Sequence, residues 1–156
     1  MNREQLFQQL ATELGYSFDG EIKIGGNYTP FILDGNQVWI SGQIPRVDST
    51  VVVTGRVGAE IPLPQAQLGA KICTMRALAL LRQALGNLER VSKVLRISVY
   101  VQSAADFTQQ SEVADGASEV LYRVLGSAGI HTRTSVGVLQ LPKNAAVELD
   151  LVAAFD

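Results

Sequence analysis

The segment that most restricts this chain runs from Leu95 to Gln102. Leu95, Ile97, Val99 and Val101 alternate with Arg96, Ser98, Tyr100 and Gln102, a period of two that puts apolar side chains on one face of a β-strand and polar ones on the other. Such a strand needs hydrogen-bonded neighbours and a cover for its apolar face. Upstream, Pro64 can open a helix that Leu68, Ile72, Met75, Ala79 and Arg82 carry to Gly86, with Leu81 and Leu85 widening the apolar side. Downstream, Asp106 to Ser127 returns to helical spacing through Val113, Ala117, Val120, Leu121 and Val124. Gly116 interrupts that helix, where a glycine costs on the order of 1 kcal/mol relative to alanine.

Further strands follow from turn chemistry. Phe31-Ile32-Leu33 and Val38-Trp39-Ile40 flank Asp34-Gly35-Asn36, a hairpin pattern. The Gly- and Pro-punctuated stretch that follows leaves room for one short strand at Val51-Val52-Val53. Arg133 to Leu141 and Ala145 to Phe155 read as two more strands, joined by Pro142-Lys143-Asn144, a connection short enough for an antiparallel hairpin. At the start, Leu6, Leu10 and Leu14, with Phe7 beside them and Gly15 as a stop, predict a helical extension over residues 1–15. The expected fold class is α+β, a two-layer sandwich in which a mixed sheet carries two main helices on one face. The other face, with Val94 and Tyr100 among polar groups, would be left without a cover, and self-association is the common remedy.

Composition narrows function by exclusion. With 156 residues, 47% of them hydrophobic, the chain is expected to form one domain over 1–156 and to hold a core without staples. Cys73 is the single cysteine and reads as a small hydrophobe on its helix. Thirteen basic against fifteen acidic side chains leave a net charge of −2, no footprint for a phosphate backbone, so nucleic acid is not an expected partner. No apolar run approaches the roughly 20 residues of a membrane span, and Met1 to Glu13 lacks a signal-peptide core, so a cytoplasmic location is the default expectation. Phosphate-loop, zinc-helix and nucleophile-elbow patterns are absent, and no metal site is expected. His131, the lone histidine, reads as a solvated loop residue.

The most suggestive constellation lies in the last two strands. If they form a hairpin, Arg133 stands near Val152 and Gly137 near Glu148, so a guanidinium and the carboxylates of Glu148 and Asp150 line one edge. An arginine fork grips a carboxylate through two parallel charge-assisted hydrogen bonds, which suits it to anchor a small acid. The same residues equally make an intramolecular salt bridge. From the residues alone both readings stand.

Several segments together resemble the RidA/YjgF family of small trimeric proteins, whose older name is endoribonuclease L-PSP. They are Gly26-Asn27-Tyr28, Val38-Trp39-Ile40-Ser41-Gly42-Gln43-Ile44-Pro45, Val99-Tyr100-Val101, Asp106-Phe107, Arg133-Thr134-Ser135-Val136, and Leu141-Pro142-Lys143 followed by Val147-Glu148-Leu149. The resemblance implies a chorismate-mutase-like fold and a homotrimer with clefts at its subunit boundaries. It implies hydrolysis of reactive enamines and imines, in which 2-imino acids become 2-oxo acids and ammonia without a cofactor. By that resemblance Arg133 binds the substrate carboxylate, Tyr28 lines the pocket and Glu148 attends the reactive water. Ser135, standing where active members commonly carry cysteine, is a further substrate-binding candidate. The extra N-terminal helix, the longer loop after Pro45, and Gly137 in place of a common glutamate set the chain in a divergent subgroup. The alternatives are a non-catalytic trimer that binds a small carboxylate metabolite and, more distantly, an RNA-cleaving enzyme. A single histidine and an acidic balance weigh against the last, since cleaving RNA by general acid-base chemistry usually takes two positioned proton carriers.

Overall fold

A computed structural model describes all 156 residues and contains three α-helices and seven strands: α1 (Arg3–Leu14), β1 (Phe31–Asp34), β2 (Gln37–Gln43), β3 (Arg46–Val47), β4 (Thr50–Val51), α2 (Leu63–Leu85), β5 (Val91–Gln102), α3 (Gln110–Leu125), β6 (Thr132–Val138) and β7 (Val147–Phe155). Five strands form one mixed sheet in the order β1-β2-β7-β5-β6, and β3 and β4 pair as a separate ribbon. The expected first hairpin is present, with Asp34 paired to Gln37 across a two-residue turn. The alternating segment is the long strand β5, and α2 and α3 cover the face that carries Ile97, Val99 and Val101. All three side chains are fully buried.

The second expected hairpin is not there. β6 pairs with β5 in parallel, β7 pairs with β5 antiparallel, and β5 therefore lies between the two strands that sequence spacing had placed side by side. The segment after β6 passes over the end of β5 instead of folding back beside β6. Gln102, the last residue of β5, fastens that passage: its side-chain amide donates to Gly55 O and Asn144 Oδ1, and its carbonyl oxygen accepts from Leu141 N at 2.8 Å. Val94 is also placed differently from expectation. The β5–β7 register shifts between Val94 and Arg96, and this bulge turns Val94 into the core while Leu95 becomes half-buried.

The N-terminal helix is tied in more firmly than a surface cover. Asn2 and Gln5 form a reciprocal cap at its start, and its buried side chains are Phe7, Leu10 and Ala11 rather than the Leu6, Leu10, Leu14 stripe. Arg82 of α2 pairs with Glu4 and lies over the Phe7 ring at 4.7 Å, while Arg123 of α3 pairs with Glu13. Gly116 has a packing reason. A Cβ there would sit 2.6 Å from the Gln67 carbonyl oxygen, so glycine lets α3 approach α2 closely. No helix is long and apolar enough to cross a membrane.

On the sheet face turned away from the helices, Ile32 pairs with Trp39, Trp39 with Val152, and Val152 with Arg96. Ile32, Trp39 and Val136 are exposed there. β6 forms one edge of the sheet.

Candidate active site

Glu148 is opposite Tyr100 in the β5–β7 register, so it projects from the face away from the helices. Its carboxylate lies over β2, where the register shifts between Ile40 and Gln43. The backbone comes so close that a Cβ on Gly42 would fall 2.3 Å from Glu148 Oε2. Glycine at this position is therefore what lets the carboxylate occupy its place. The carboxyl makes no ion pair or hydrogen bond within the chain, and burial first, then the neighbouring Asp150, push its pKa above the ordinary carboxylate range. Asp150 is itself engaged, accepting from the Tyr100 hydroxyl at 3.2 Å.

Around Glu148 is a cavity of about 200 Å³ lined by Lys23, Ile24, Gly25, Tyr28, Gly42 to Ile44, Arg46, Arg76, Pro142 and Lys143. Local folding explains how these side chains converge. The loop that carries Tyr28 is fixed beside β2 by the Ser41 hydroxyl, which donates to Thr29 O at 2.7 Å, and by Ser41 N, which donates to Pro30 O. Ser41 thus shapes the rim. The opposite rim is the Leu141-Pro142-Lys143 turn held by Gln102, in which Lys143 adopts a left-handed backbone with φ of 58°.

The floor is Arg76, a buried arginine on α2. Its Nε donates to Gln43 Oε1 at 3.1 Å, Nη1 to Arg46 O at 2.7 Å and Nη2 to Lys23 O at 2.7 Å. One side chain thereby ties together the three segments that wall the cavity. Burial pulls its pKa down to about 10, still far above neutral. Sequence reasoning passed over Arg76, although a signal existed: it stands four residues after Ile72, a charge on an otherwise apolar helix side. Lys23, Arg46 and Lys143 were missed as well, and isolated cations in loops give no periodicity by which to find them.

The structure brings Tyr28 and Glu148 to one cavity and leaves Arg133 and Ser135 out of it. Arg133 is opposite Ile97 and Ser135 opposite Val99, which puts both on the helix-covered face of the edge strand. The Arg133 guanidinium is engaged by α3: Nη1 donates to Asp115 Oδ1 at 2.9 Å and Ser118 Oγ at 2.8 Å, and Nη2 donates to Ser111 O at 3.0 Å and Ser111 Oγ at 2.8 Å. The expected cluster of Arg133 with Glu148 and Asp150 along one hairpin edge therefore does not form, because β5 separates the strands. His131 is half-buried rather than simply solvated. Its Nδ1 faces Gly129 O at 2.6 Å, its Nε2 faces Ser118 Oγ at 2.8 Å, and its ring stacks against Tyr122. The Cys73 thiol is fully buried, and desolvation pushes its pKa up, away from nucleophilic use.

Comparison with known proteins is consistent with this architecture. The family model described as "YjgF/chorismate mutase-like, putative endoribonuclease" matches residues 14–155, leaving nearly all of α1 outside the match. Protein TCP17 of Trypanosoma cruzi is 41% identical over 125 residues, covering 80% of this chain and 78% of that protein. A 2-iminobutanoate/2-iminopropanoate deaminase of Dermatophagoides farinae is 25% identical over 132 residues, covering 84% of this chain and 88% of its own. Among solved structures, Atu1372 of Agrobacterium tumefaciens, a protein with unknown function, superposes with a TM-score of 0.88 at 34% identity, covering 99% of this chain and 95% of that one.

Proposed function

The chain belongs to the YjgF/chorismate-mutase-like family, and we propose that it is an imine and enamine deaminase that converts small 2-imino acids to 2-oxo acids and ammonia. One observation carries this reading: Tyr28 and Glu148 line a single small cavity in which the Glu148 carboxyl has no partner from the chain. The C=N carbon of an imine is already electrophilic, so the protein has to position it, exclude bulk water and manage protons. Glu148 orients a water for attack and passes a proton toward the nitrogen as the C=N bond becomes C–N. The carbinolamine then collapses, its C–N bond breaks, and ammonia leaves with the 2-oxo acid behind.

In this proposal the active assembly is a homotrimer closed through the uncovered sheet face, where Ile32, Trp39 and Val136 are exposed. The substrate carboxylate is held by Arg133 from the β6 edge of the adjoining protomer. To do so Arg133 exchanges Asp115 for the substrate. The Asp115 side chain is 63% exposed although that of Arg133 is only 20%, and an ion pair with one partner so open to water contributes on the order of 1 kcal/mol. A charged metabolite can displace such a partner.

Ammonia release from 2-iminobutanoate and 2-iminopropanoate tests the reading. Glu148→Gln is expected to lower kcat by about 10²-fold or more, and Arg133→Ala to raise KM. Full activity in both variants would overturn it. The four hydrogen bonds that Arg133 donates to α3 favour a second reading, a non-catalytic trimer that binds a small carboxylate metabolite in the same cavity. Tight calorimetric binding of 2-oxo acids with no ammonia release would establish it. The family's description as an endoribonuclease finds little support in a cavity with one carboxyl and no histidine.

A further inference from the structure

The cavity holds more positive charge than a substrate with one carboxylate uses. Lys23, Arg46, Arg76 and Lys143 line it, against Glu148 as the one acid. Arg76 already donates from each of its three nitrogens, to Gln43 and two backbone carbonyls. The other three cations are absent from the six ion pairs of the protein, which join Arg3, Lys71, Arg82, Arg123 and Arg133 to acids elsewhere. Arg46 is the clearest case, because its Nε is a buried side-chain polar atom without a hydrogen-bond partner. A buried donor left unmatched costs roughly 1–3 kcal/mol, a penalty that an incoming acceptor removes. Lys143 is held at the rim by a turn with a left-handed backbone and lines the same cavity of about 200 Å³ as Arg46.

Resting on the deaminase reading, we propose that the preferred substrate carries a second carboxylate, bound between Arg46 and Lys143: a short 2-imino dicarboxylate. If Arg133 of an adjoining protomer holds the carboxylate next to the imine, these two cations meet the acid at the far end. A planar guanidinium suits bidentate contact with a carboxylate, and a lysine ammonium adds a point charge beside it. The chemistry is unchanged by the second acid. Water adds to the C=N carbon, the C–N bond breaks, both water hydrogens end on the departing ammonia, and the product is a 2-oxo dicarboxylate.

The test compares two imines generated in place by an amino-acid oxidase, the four-carbon imino diacid from aspartate and 2-iminobutanoate from 2-aminobutanoate. The expected kcat/KM is at least ten-fold higher for the diacid, with most of the difference in KM. Arg46→Met, and independently Lys143→Asn, which tolerates the left-handed backbone, should each bring that ratio toward one, with thermal melts confirming that both variants fold. An equal or lower kcat/KM for the diacid overturns the proposal, as does a ratio that survives in both variants. If neither imine reacts faster than in buffer, it is the deaminase reading that has failed. Calorimetry then decides the inference separately. Binding of the 2-oxo diacid at least ten-fold tighter than 2-oxobutanoate, lost in Arg46→Met, sustains a two-carboxylate site, and equal affinities overturn it.

Discussion

Glu148 and Arg133 lie on opposite faces of the same sheet. Glu148 pairs with Tyr100 and Arg133 with Ile97, and positions 97 and 100 are three apart on a regular stretch of β5, so their side chains point to opposite sides. Within one protomer the two cannot meet over a substrate. If both serve one reaction, they do so from different copies. At substrate concentrations well below KM, where each variant alone is impaired, mixing Arg133→Ala and Glu148→Gln subunits is then expected to restore about a quarter of the wild-type rate, because random assembly around a closed ring leaves one boundary in four with both residues intact. Ammonia release after unfolding and refolding the mixture measures it.

Gly42→Ala should uncouple catalysis from stability. The added methyl would fall 2.3 Å from Glu148 Oε2, and the flexible carboxylate can swing aside at little cost to the fold. The expected result is a fall in kcat of about ten-fold or more, as befits a displaced proton-handling group, with Tm nearly unchanged.

Glu148 also makes stability depend on pH in an unusual direction for a carboxylate. Its folded pKa is raised, so the folded chain holds this proton more tightly than the unfolded chain does. That stabilisation is present below the ordinary value of 4.5 and is lost as pH rises through the raised folded value. Glu148→Gln, which cannot ionise, should therefore melt above the wild type at neutral pH, with the difference vanishing below about pH 4.5. Thermal melts of both proteins across that range check it.

Arg76→Met should be among the most damaging substitutions. It strands the Gln43 amide oxygen and the carbonyls of Lys23 and Arg46, and losing charge-assisted hydrogen bonds of this kind costs on the order of 3 kcal/mol. For a chain of this length that corresponds to a fall in Tm of roughly 6–12 °C. Binding of 2-oxo acids should weaken in parallel, because the cavity walls lose their common tie.

Gly116→Ala sets two effects against each other. Alanine favours the helix by about 1 kcal/mol, but the Cβ would press to 2.6 Å from the Gln67 carbonyl oxygen, and backbone atoms yield poorly. Overpacking is expected to win, with a net loss of about 1–3 kcal/mol in chemical denaturation.

The elements that sequence made legible are those whose signal is local. The Asp34–Gln37 turn, the alternation through β5 and the spacing of α2 all follow from neighbours a few residues apart. The relationships that were missed depend on contacts between distant segments. A short connection after β6 suggested a hairpin, yet Gln102 draws that connection over the end of β5, and nothing in the spacing reveals it. The bulge at Val94 leaves no trace in composition. The partner of Arg133 proved to be Asp115, on a helix eighteen positions upstream rather than on the next strand. Tyr28 and Glu148 came from the family resemblance, whereas the cations around them are visible only once the loops are folded.

The uncovered sheet face also supplies its own spectroscopic reporter. Trp39 is the only tryptophan in the chain, and it is 52% exposed on that face, between Ile32 and Val152. Its emission is therefore not diluted by any other indole. Dilution that separates copies held together through this face would shift the fluorescence to the red and open it to aqueous quenchers, giving an association constant from the native protein with no added label.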